Sequence, residues 1–209
     1  MTEHIDFLQL RDFAVSTATR AAELIAARRA ELVAGDGIAA HTSTKSSDVD
    51  PVTEVDTATE EFIATTIRTQ RPGDGIFGEE GANVESTSGV TWIVDPIDGT
   101  VNFLYGVPDF AVSIGAEYQG RLVAGAVVNV ARGRTYAAAA GQGATVTGPD
   151  GKVHPLQCAH TKNPALALVA TASDTMPNGE QRKPSCSPSS CPRYEIFAAS
   201  VLPRWIYVA

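Results

Sequence analysis

An apolar stretch that ends in two acidic residues constrains this chain more than any other feature. Residues 92–100 read Trp-Ile-Val-Asp-Pro-Ile-Asp-Gly-Thr, so Asp95 and Asp98 follow a run that is typical of a buried strand. The proline and the glycine indicate a turn at the point where the acids occur. Because hard divalent cations take oxygen ligands, the pattern predicts a strand that delivers two carboxylates into a metal-holding turn.

A second acidic cluster lies upstream, where Glu79 and Glu80 follow the short apolar segment 75–77. Two strand ends that each carry acids predict that Glu79, Asp95 and Asp98 share one metal site. Each motif has a structural alternative when it is taken alone. The Asp-x-x-Asp pair is also a common turn former, and the paired glutamates suit an exposed turn.

The composition excludes several classes of protein. The chain has 209 residues, of which 44% are hydrophobic, a formal net charge of −8 and a pI of about 4.9. This charge argues against a nonspecific nucleic-acid or membrane surface, since both favour clustered cations. We expect no signal peptide and no membrane span. The three cysteines lack zinc-site spacing and are too few for a disulfide framework. A reducing, cytoplasmic location is therefore expected.

Two helices are predicted in the first third of the chain. Apolar residues recur at helical spacing from about Asp6 to Ala34, and again over 57–70. Asp56 is a candidate N-cap of the second helix. Of the nearby acids, Glu54, Glu60 and Glu61 are interpreted as a solvated helix face. The polar segment 37–50 between the helices is interpreted as a loop or hairpin.

Strands dominate the next part of the chain. Apolar runs separated by Gln-Gly and Arg-Gly turns predict strands at Ile76, Thr91–Val94, Phe110–Tyr118, Leu122–Val130 and Thr135–Ala138. Two helices followed by a run of strands is an α+β pattern.

These motifs together resemble the inositol monophosphatases and their lithium-sensitive phosphatase relatives. The residues that carry the resemblance are 95–100 with Asn102 and Phe103, Asp50-Pro51-Val52-Thr53 with Asp56 and Glu60, Gly78-Glu79-Glu80, Pro108, and Val112–Gly115. It runs from the first helix to about Thr171. It implies the layered α/β/α/β/α sandwich of the sugar-phosphatase type. Residues 1–171 would form the metal-binding part, and the C-terminal half would be incomplete in this chain.

The resemblance assigns metal ligands. It implies that Glu79, Asp95 and the backbone carbonyl of Ile97 bind a first cation, and that Asp95 and Asp98 help to hold a second. Magnesium is the implied ion. Asp98 is also implied in substrate binding.

The resemblance also assigns catalytic and substrate-binding roles. Thr100, with Glu79, corresponds to the pair that polarises the attacking water, and Asp56 to an outer catalytic acid near a third, weaker metal. Gly99 and Thr100 would present N–H groups to phosphate at a helix start. Lys45 corresponds to a loop lysine near the active site, although alone it suits a solvated charge.

The implied function is magnesium-dependent, lithium-sensitive hydrolysis of myo-inositol monophosphate by two-metal activation of water. The full-length form is expected to be a homodimer that binds no nucleic acid directly. Three other substrates, which enzymes of similar fold hydrolyse, remain open: fructose 1,6-bisphosphate, 3′-phosphoadenosine 5′-phosphate and histidinol phosphate. A non-catalytic role in transcription or ribosome maturation through partner contacts is the alternative from another class. A chain too incomplete to fold stably is the third possibility.

The chain departs from the family pattern in its last part. The family carries a third metal-binding aspartate in a Trp-Asp-x-Ala-Ala-Gly helix start, but neither Trp92 nor Trp205 precedes an aspartate here. The family helix Gly-Ser-Ala-Ala-Leu-Asp-Leu-Cys, which lines the inositol pocket, is also missing. These departures predict impaired or absent activity.

A shift of reading frame accounts for these departures. If each codon of residues 194–208 begins one base earlier, allowed codons give Arg-Asp-Ile-Arg-Arg-Ile-Gly-Ser-Ala-Ala-Leu-Asp-Leu-Cys. That sequence contains the missing helix. We therefore interpret residues 172–209 as an out-of-frame tail that follows the loss of one base near Thr171, through gene decay or sequencing error.

Overall fold

The computed structural model describes residues 5–34, 42–44 and 51–157, with only the backbone described for 42–44 and 51–53. Two predictions lie outside the described residues. These are the place of Lys45 near the active site and the aberrant character of the segment 172–209.

The first helix, α1 (Phe7–Ala34), begins and ends close to the predicted limits. It starts directly after Asp6, whose carboxylate accepts a 2.9 Å hydrogen bond from the backbone N–H of Leu8. An aspartate just before a helix satisfies N–H groups that have no partner inside the helix. No helix in the described part of the chain is both long and apolar enough to cross a membrane.

The second helix, α2 (Glu54–Gln70), begins three residues earlier than predicted. Strands β1 (Thr42–Thr44) and β2 (Pro51–Thr53) pair antiparallel, and β2 leads directly into the helix. The prediction that Asp56 caps this helix is therefore wrong, because Asp56 lies within the first turn. The prediction that Glu60 lies on a solvated face is also wrong. Asp56 and Glu60, one turn apart, are 3% and 4% exposed.

The described strands after α2 form an eight-stranded mixed sheet in the order β10-β9-β8-β7-β6-β5-β3-β4. Within this described sheet, only β3 and β5 are parallel neighbours, and the other adjacent pairs are antiparallel. The strands are β3 (Gly75–Gly78), β4 (Asn83–Val84), β5 (Val90–Asp98), β6 (Ala111–Tyr118), β7 (Arg121–Asn129), β8 (Arg134–Ala139), β9 (Gly143–Thr147) and β10 (Val153–Leu156).

The strand that carries the acids is longer than predicted. β5 does not stop at Val94, because Asp95 pairs with Ser113 and Asp98 pairs with Ala111, with an irregularity in register between the two. The acids therefore lie in the irregular end of the strand rather than in a turn after it. A short helix, α3 (Thr100–Tyr105), follows. The short strands β4, β9 and β10 carry too few apolar residues to have been predicted.

The core lies between the helices and one face of the sheet. Helix α1 packs against β6, β7 and β8, and α2 packs against α1 and β5. The fully buried Trp92 of β5 contacts Phe13 of α1, with 4.9 Å between the ring centroids. This mixed sheet with helices confirms the α+β class and corresponds to the front part of a layered sandwich.

Candidate metal centre and active site

The parallel pairing of β3 and β5 places Glu79 next to Asp95. Gly78, the last residue of β3, pairs with Val94 in β5. The N–H of Glu79 then donates a 3.1 Å hydrogen bond to the carbonyl of Val94. The side chain of Glu79 is solvent-exposed, yet it lies within hydrogen-bonding reach of the Asp95 carboxyl group. The two acidic strand ends therefore lie side by side.

The electrostatics of Asp95 are those of an acid crowded by other acids. Burial is the largest cause that raises the pKa of Asp95, to about 9. The charges of Glu79 and Asp98, a hydrogen bond from the protonated Asp95 to Glu79, and the charge of Asp56 act in the same direction. Carboxylates brought together in this way cannot all stay ionised unless something positive lies among them.

Asp98 belongs to the same cluster. Burial raises the pKa of Asp98 to about 6, with further contributions from the charges of Glu79 and Asp109. Sequence reasoning missed Asp109, which follows Pro108 just before β6 and lies near Asp98 because Asp98 pairs with Ala111. Asp109 accepts a 3.1 Å hydrogen bond from the Asn129 side chain.

Two oxygens in the cluster are buried without an ordinary hydrogen bond. Asp95 Oδ1 and Asp98 Oδ2 have no hydrogen-bond partner in the described part of the chain. Buried acceptors are normally satisfied, so such atoms mark a place where a ligand can bind. However, no group of three or more His, Cys, Asp or Glu within the described ranges already has an arrangement that could hold a metal ion. The acids lie close together in pairs, not in a finished coordination shell.

Helix α2 brings Asp56 to the same region. Thr100 Oγ1 lies 3.4 Å from Asp56 Oδ2 and 3.0 Å from the carbonyl oxygen of Ile97, either of which can accept its proton. Thr100 is therefore adjacent to Asp56 and to the predicted carbonyl ligand. A contact between Thr100 and Glu79, the pair that the resemblance implied, is not among the hydrogen bonds of the described residues.

Gly99 turns the chain from β5 into α3. It has φ +86°, a left-handed conformation that residues with a side chain seldom adopt. A Cβ atom at this position would also lie 3.0 Å from the carbonyl oxygen of Asp109. A glycine is thus required both by the turn and by the close approach of the strand that follows.

Glu60, which was predicted to lie on a solvated helix face, instead contacts the loop after β3. Its two carboxylate oxygens accept hydrogen bonds from the backbone N–H groups of Glu80 (2.7 Å) and Ala82 (2.8 Å). A signal was present, because Glu60 follows Asp56 by four residues and so lies on the same helix face.

The sequence agrees with one family over most of its length. The model of the inositol monophosphatase family matches residues 6–189. This match continues past Thr171, where the motif resemblance was expected to end.

Individual relatives agree with the family match. The chain is 48% identical over 172 residues to an inositol-1-monophosphatase of Mycobacterium bovis, covering 78% of this chain and 59% of that protein. It is similar to the solved structure of Mycobacterium tuberculosis SuhB, with 41% identity, a TM-score of 0.60, and coverage of 76% and 55% of the two chains. A Nus factor SuhB of Pseudomonas aeruginosa is 43% identical over 102 residues, covering 47% of this chain and 38% of that protein.

The chain spans about three-fifths of the length of the curated mycobacterial relatives that it matches. The family match nevertheless covers well over half of this chain, including every acidic residue of the candidate site. The chain belongs to the inositol monophosphatase family.

Proposed function

We propose that this protein is a magnesium-dependent phosphate-monoester hydrolase that acts on myo-inositol monophosphate. The observation that carries the proposal is the pair of buried carboxylate oxygens, Asp95 Oδ1 and Asp98 Oδ2, which lack hydrogen-bond partners in the described part of the chain. They lie beside Glu79 at the joined ends of two strands. Oxygen ligands of this kind suit a hard cation such as Mg²⁺.

The residues fit such a cation. Glu79, Asp95, Asp98 and the carbonyl oxygen of Ile97 would hold it, and all four are oxygen donors. The Ile97 carbonyl accepts one hydrogen bond from Thr100 and has a second lone pair for a metal. The carboxyl groups of Asp95 and Glu79 lie within hydrogen-bonding reach of each other. Loss of a proton from Asp95 would leave both carboxylates able to bind a shared ion.

Bound magnesium ions would neutralise phosphate charge and lower the pKa of a water molecule at neutral pH. The chain's own residues then have separable tasks. Asp95 and Asp98 hold negative charge at the end of β5, and Glu79 adds a third carboxylate from β3. The strand pairing fixes the backbone positions of these acids, so their side chains are what must move when a cation binds.

Thr100 and Asp56 would orient the attacking water. Asp56 is buried and 3.4 Å from the Thr100 hydroxyl, so it can accept the hydroxyl proton when Thr100 turns to accept one from water. Gly99 and the start of α3 would contribute backbone N–H groups to the phosphate. The resemblance adds Lys45 as a further phosphate contact.

The activity of this chain is expected to be impaired. The family's third metal-binding aspartate and its inositol-pocket helix have no counterpart in the sequence as written. A form with a restored reading frame is expected to be a cytoplasmic homodimer.

The proposal is tested by measuring phosphate release from myo-inositol monophosphate, with and without Mg²⁺, by this chain and by a frame-restored form. Fructose 1,6-bisphosphate serves as a competing substrate. Activity of the restored form that needs Mg²⁺ and is lost in Asp95→Asn supports the proposal. Activity that survives a chelator, or survives Asp95→Asn, contradicts it.

A second candidate is a non-catalytic role through partner contacts. The observation that favours it is the similarity to a protein named as a Nus factor. A scaffold has no need of acids that crowd one another at the ends of two strands. If Asp95→Asn leaves partner binding intact while it abolishes metal binding, the two functions belong to different surfaces.

A further inference from the structure

We propose that Glu60 is a positioning residue that holds Glu79 in place for metal binding by fixing the backbone of the loop 78–82. The proposal rests on the proposed function only in taking Glu79 as a metal ligand. Glu60 itself lies on α2, contacts the loop and not the acid cluster, and is not a ligand in the scheme above. Its role follows from three observations.

The first observation is the paired hydrogen bond. Glu60 Oε2 accepts from the N–H of Glu80 at 2.7 Å, and Glu60 Oε1 accepts from the N–H of Ala82 at 2.8 Å. Charge-assisted hydrogen bonds of this length are stronger than neutral ones. The donors flank Gly81, and the first of them directly follows Glu79, so both bonds restrain the loop that carries the Glu79 side chain.

The second observation is that the carboxylate is enclosed by the loop. Gly78 donates a 2.7 Å backbone hydrogen bond to the carbonyl of Ala82, which closes the loop. A Cβ atom on Gly78 would lie 2.5 Å from Glu60 Oε2. Glu60 is only 4% exposed, so its carboxylate has little room to move away. Gly78 is therefore needed for space, because any side chain would displace the carboxylate.

The third observation is that the loop is tied to β5 at its other end. The N–H of Glu79 donates to the carbonyl of Val94, the residue before Asp95. Glu79 is thus restrained on one side by β5 and on the other side by Glu60. The Glu79 side chain is solvent-exposed and lies within hydrogen-bonding reach of Asp95, and these backbone restraints fix the position from which it extends.

The same helix then positions two parts of the site. Asp56 and Glu60 are one turn apart on α2, where Asp56 faces Thr100 and Glu60 faces the Glu79 loop. A helix is stiff, so the spacing of these two contacts is fixed by its pitch. Residues that orient metal ligands without touching the metal commonly change metal affinity by about 10- to 100-fold when they are replaced.

The test measures Mn²⁺ binding to the 209-residue chain by electron paramagnetic resonance of the free ion. Glu60→Gln keeps the shape of the side chain but leaves one oxygen for two donors, and its NH₂ group opposes an N–H. We expect Mn²⁺ binding to weaken by about tenfold. Glu61→Gln is the matched control. It makes the same chemical change on the adjacent, exposed residue of α2, and we expect an unchanged dissociation constant.

A second control separates positioning from stability. Asp74 is 7% exposed and accepts hydrogen bonds from Ser88 and Trp92 near the start of β5, away from the acid cluster. Asp74→Asn should lower the melting temperature and leave the Mn²⁺ dissociation constant unchanged. Amide hydrogen exchange at Glu80 and Ala82 should accelerate in Glu60→Gln and not in Asp74→Asn.

A double-mutant cycle shows whether Glu60 acts through Glu79. Glu79→Gln should weaken Mn²⁺ binding, and adding Glu60→Gln should weaken it no further. Should Glu60→Gln fail to fold, Gly78→Ala tests the same contact, since its Cβ displaces the carboxylate. The proposal is overturned if Glu60→Gln or Gly78→Ala binds Mn²⁺ like the parent, or if the two effects in the cycle add.

Failure of the proposed function has a different signature. In that case Glu79→Gln and Asp95→Asn both bind Mn²⁺ as the parent does, so Glu79 is not a ligand and the positioning role is overturned with it. If only the positioning role is wrong, Glu79→Gln weakens binding while Glu60→Gln does not.

Discussion

The backbone N–H of Glu79 donates a 3.1 Å hydrogen bond to the carbonyl of Val94, which joins the two acid-bearing strand ends directly. Glu79 and Asp95 are 16 positions apart in the sequence. The parallel register of β3 and β5 makes them neighbours, since Gly78 pairs with Val94. This geometry creates a region of crowded negative charge, and the predictions below depend on that crowding.

Asp95→Asn should weaken divalent-cation binding and raise the stability of the metal-free protein. The raised pKa means that folding forces Asp95 to keep a proton at neutral pH, at a free-energy cost that a neutral amide avoids. The amide can still donate a hydrogen bond to Glu79. We expect the melting temperature in excess chelator to rise by about 2–4 °C for each kcal/mol relieved. Mn²⁺ binding should weaken by at least about tenfold.

Asp74→Asn is the control for that substitution, because Asp74 is a buried acid whose oxygens accept hydrogen bonds. It should lower the melting temperature. A lower melting temperature for Asp95→Asn in chelator would mean that Asp95 is a structural residue and not a crowded acid.

The pH dependence of stability follows from the two raised pKa values. Asp98 and Asp95 titrate at about 6 and about 9 in the folded protein, against 3.8 for the ordinary side chain. For each residue, between its ordinary pKa and its raised pKa, the folded state binds more protons than the unfolded state. The two residues therefore stabilise the metal-free protein at low pH, and that contribution is lost as pH rises, first through Asp98 and then through Asp95.

The measurement is urea denaturation in chelator from pH 5 to pH 9, compared with the Asp95→Asn/Asp98→Asn double variant. The difference between the two proteins isolates these groups from the other carboxylates. The parent should lose stability relative to the double variant as pH rises. A difference that stays constant with pH would contradict the assigned pKa values.

Magnesium affinity should rise over the same pH range. A cation binds the ionised carboxylates, so it competes with the protons on Asp98 and Asp95. Calorimetric titrations in buffers with different ionisation enthalpies should show proton release at pH 7, where Asp95 is still protonated. Binding without proton release at pH 7 would exclude Asp95 from the metal ligands.

Gly99→Ala should destabilise the protein more than Gly120→Ala. Both glycines have positive φ, +86° and +75°, so alanine at either position costs about 1–2 kcal/mol of backbone strain. Only at Gly99 would the new Cβ meet another atom closely, the Asp109 carbonyl oxygen at 3.0 Å, while Gly120 has nothing within 4 Å. We expect a further loss of about 1 kcal/mol or more at Gly99 by urea denaturation. Equal losses would show that α3 shifts without cost.

Restoring one base near Thr171 should increase both solubility and activity. The restored sequence would regain the family's pocket helix and, with it, apolar surface that covers the sheet. We expect magnesium-dependent hydrolysis of myo-inositol monophosphate that lithium inhibits, and much lower activity in the present chain. The two forms are expressed side by side. Equal solubility and equal hydrolysis rates would contradict the frameshift interpretation.

The sequence by itself determined the helices, the main strands and the acids that we propose as metal ligands. Helix α1 was predictable because its apolar spacing and its acidic N-cap are local signals. The central strands β5, β6 and β7 were predictable because apolar runs bounded by turn residues are typical of strands. Asp95 and Asp98 were identified because acids after such a run are unusual.

Only the tertiary structure decided what the remaining acids do. Asp56 and Glu60 are polar residues near a helix start, and local rules assign such residues to caps and solvated faces. Their burial depends on β5 and on the loop after β3, which pack against α2 from distant parts of the chain. Strand register, which brings Glu79 to Asp95, is likewise set by long-range pairing. Local patterns identify which residues can bind a metal, but long-range contacts determine which of them meet.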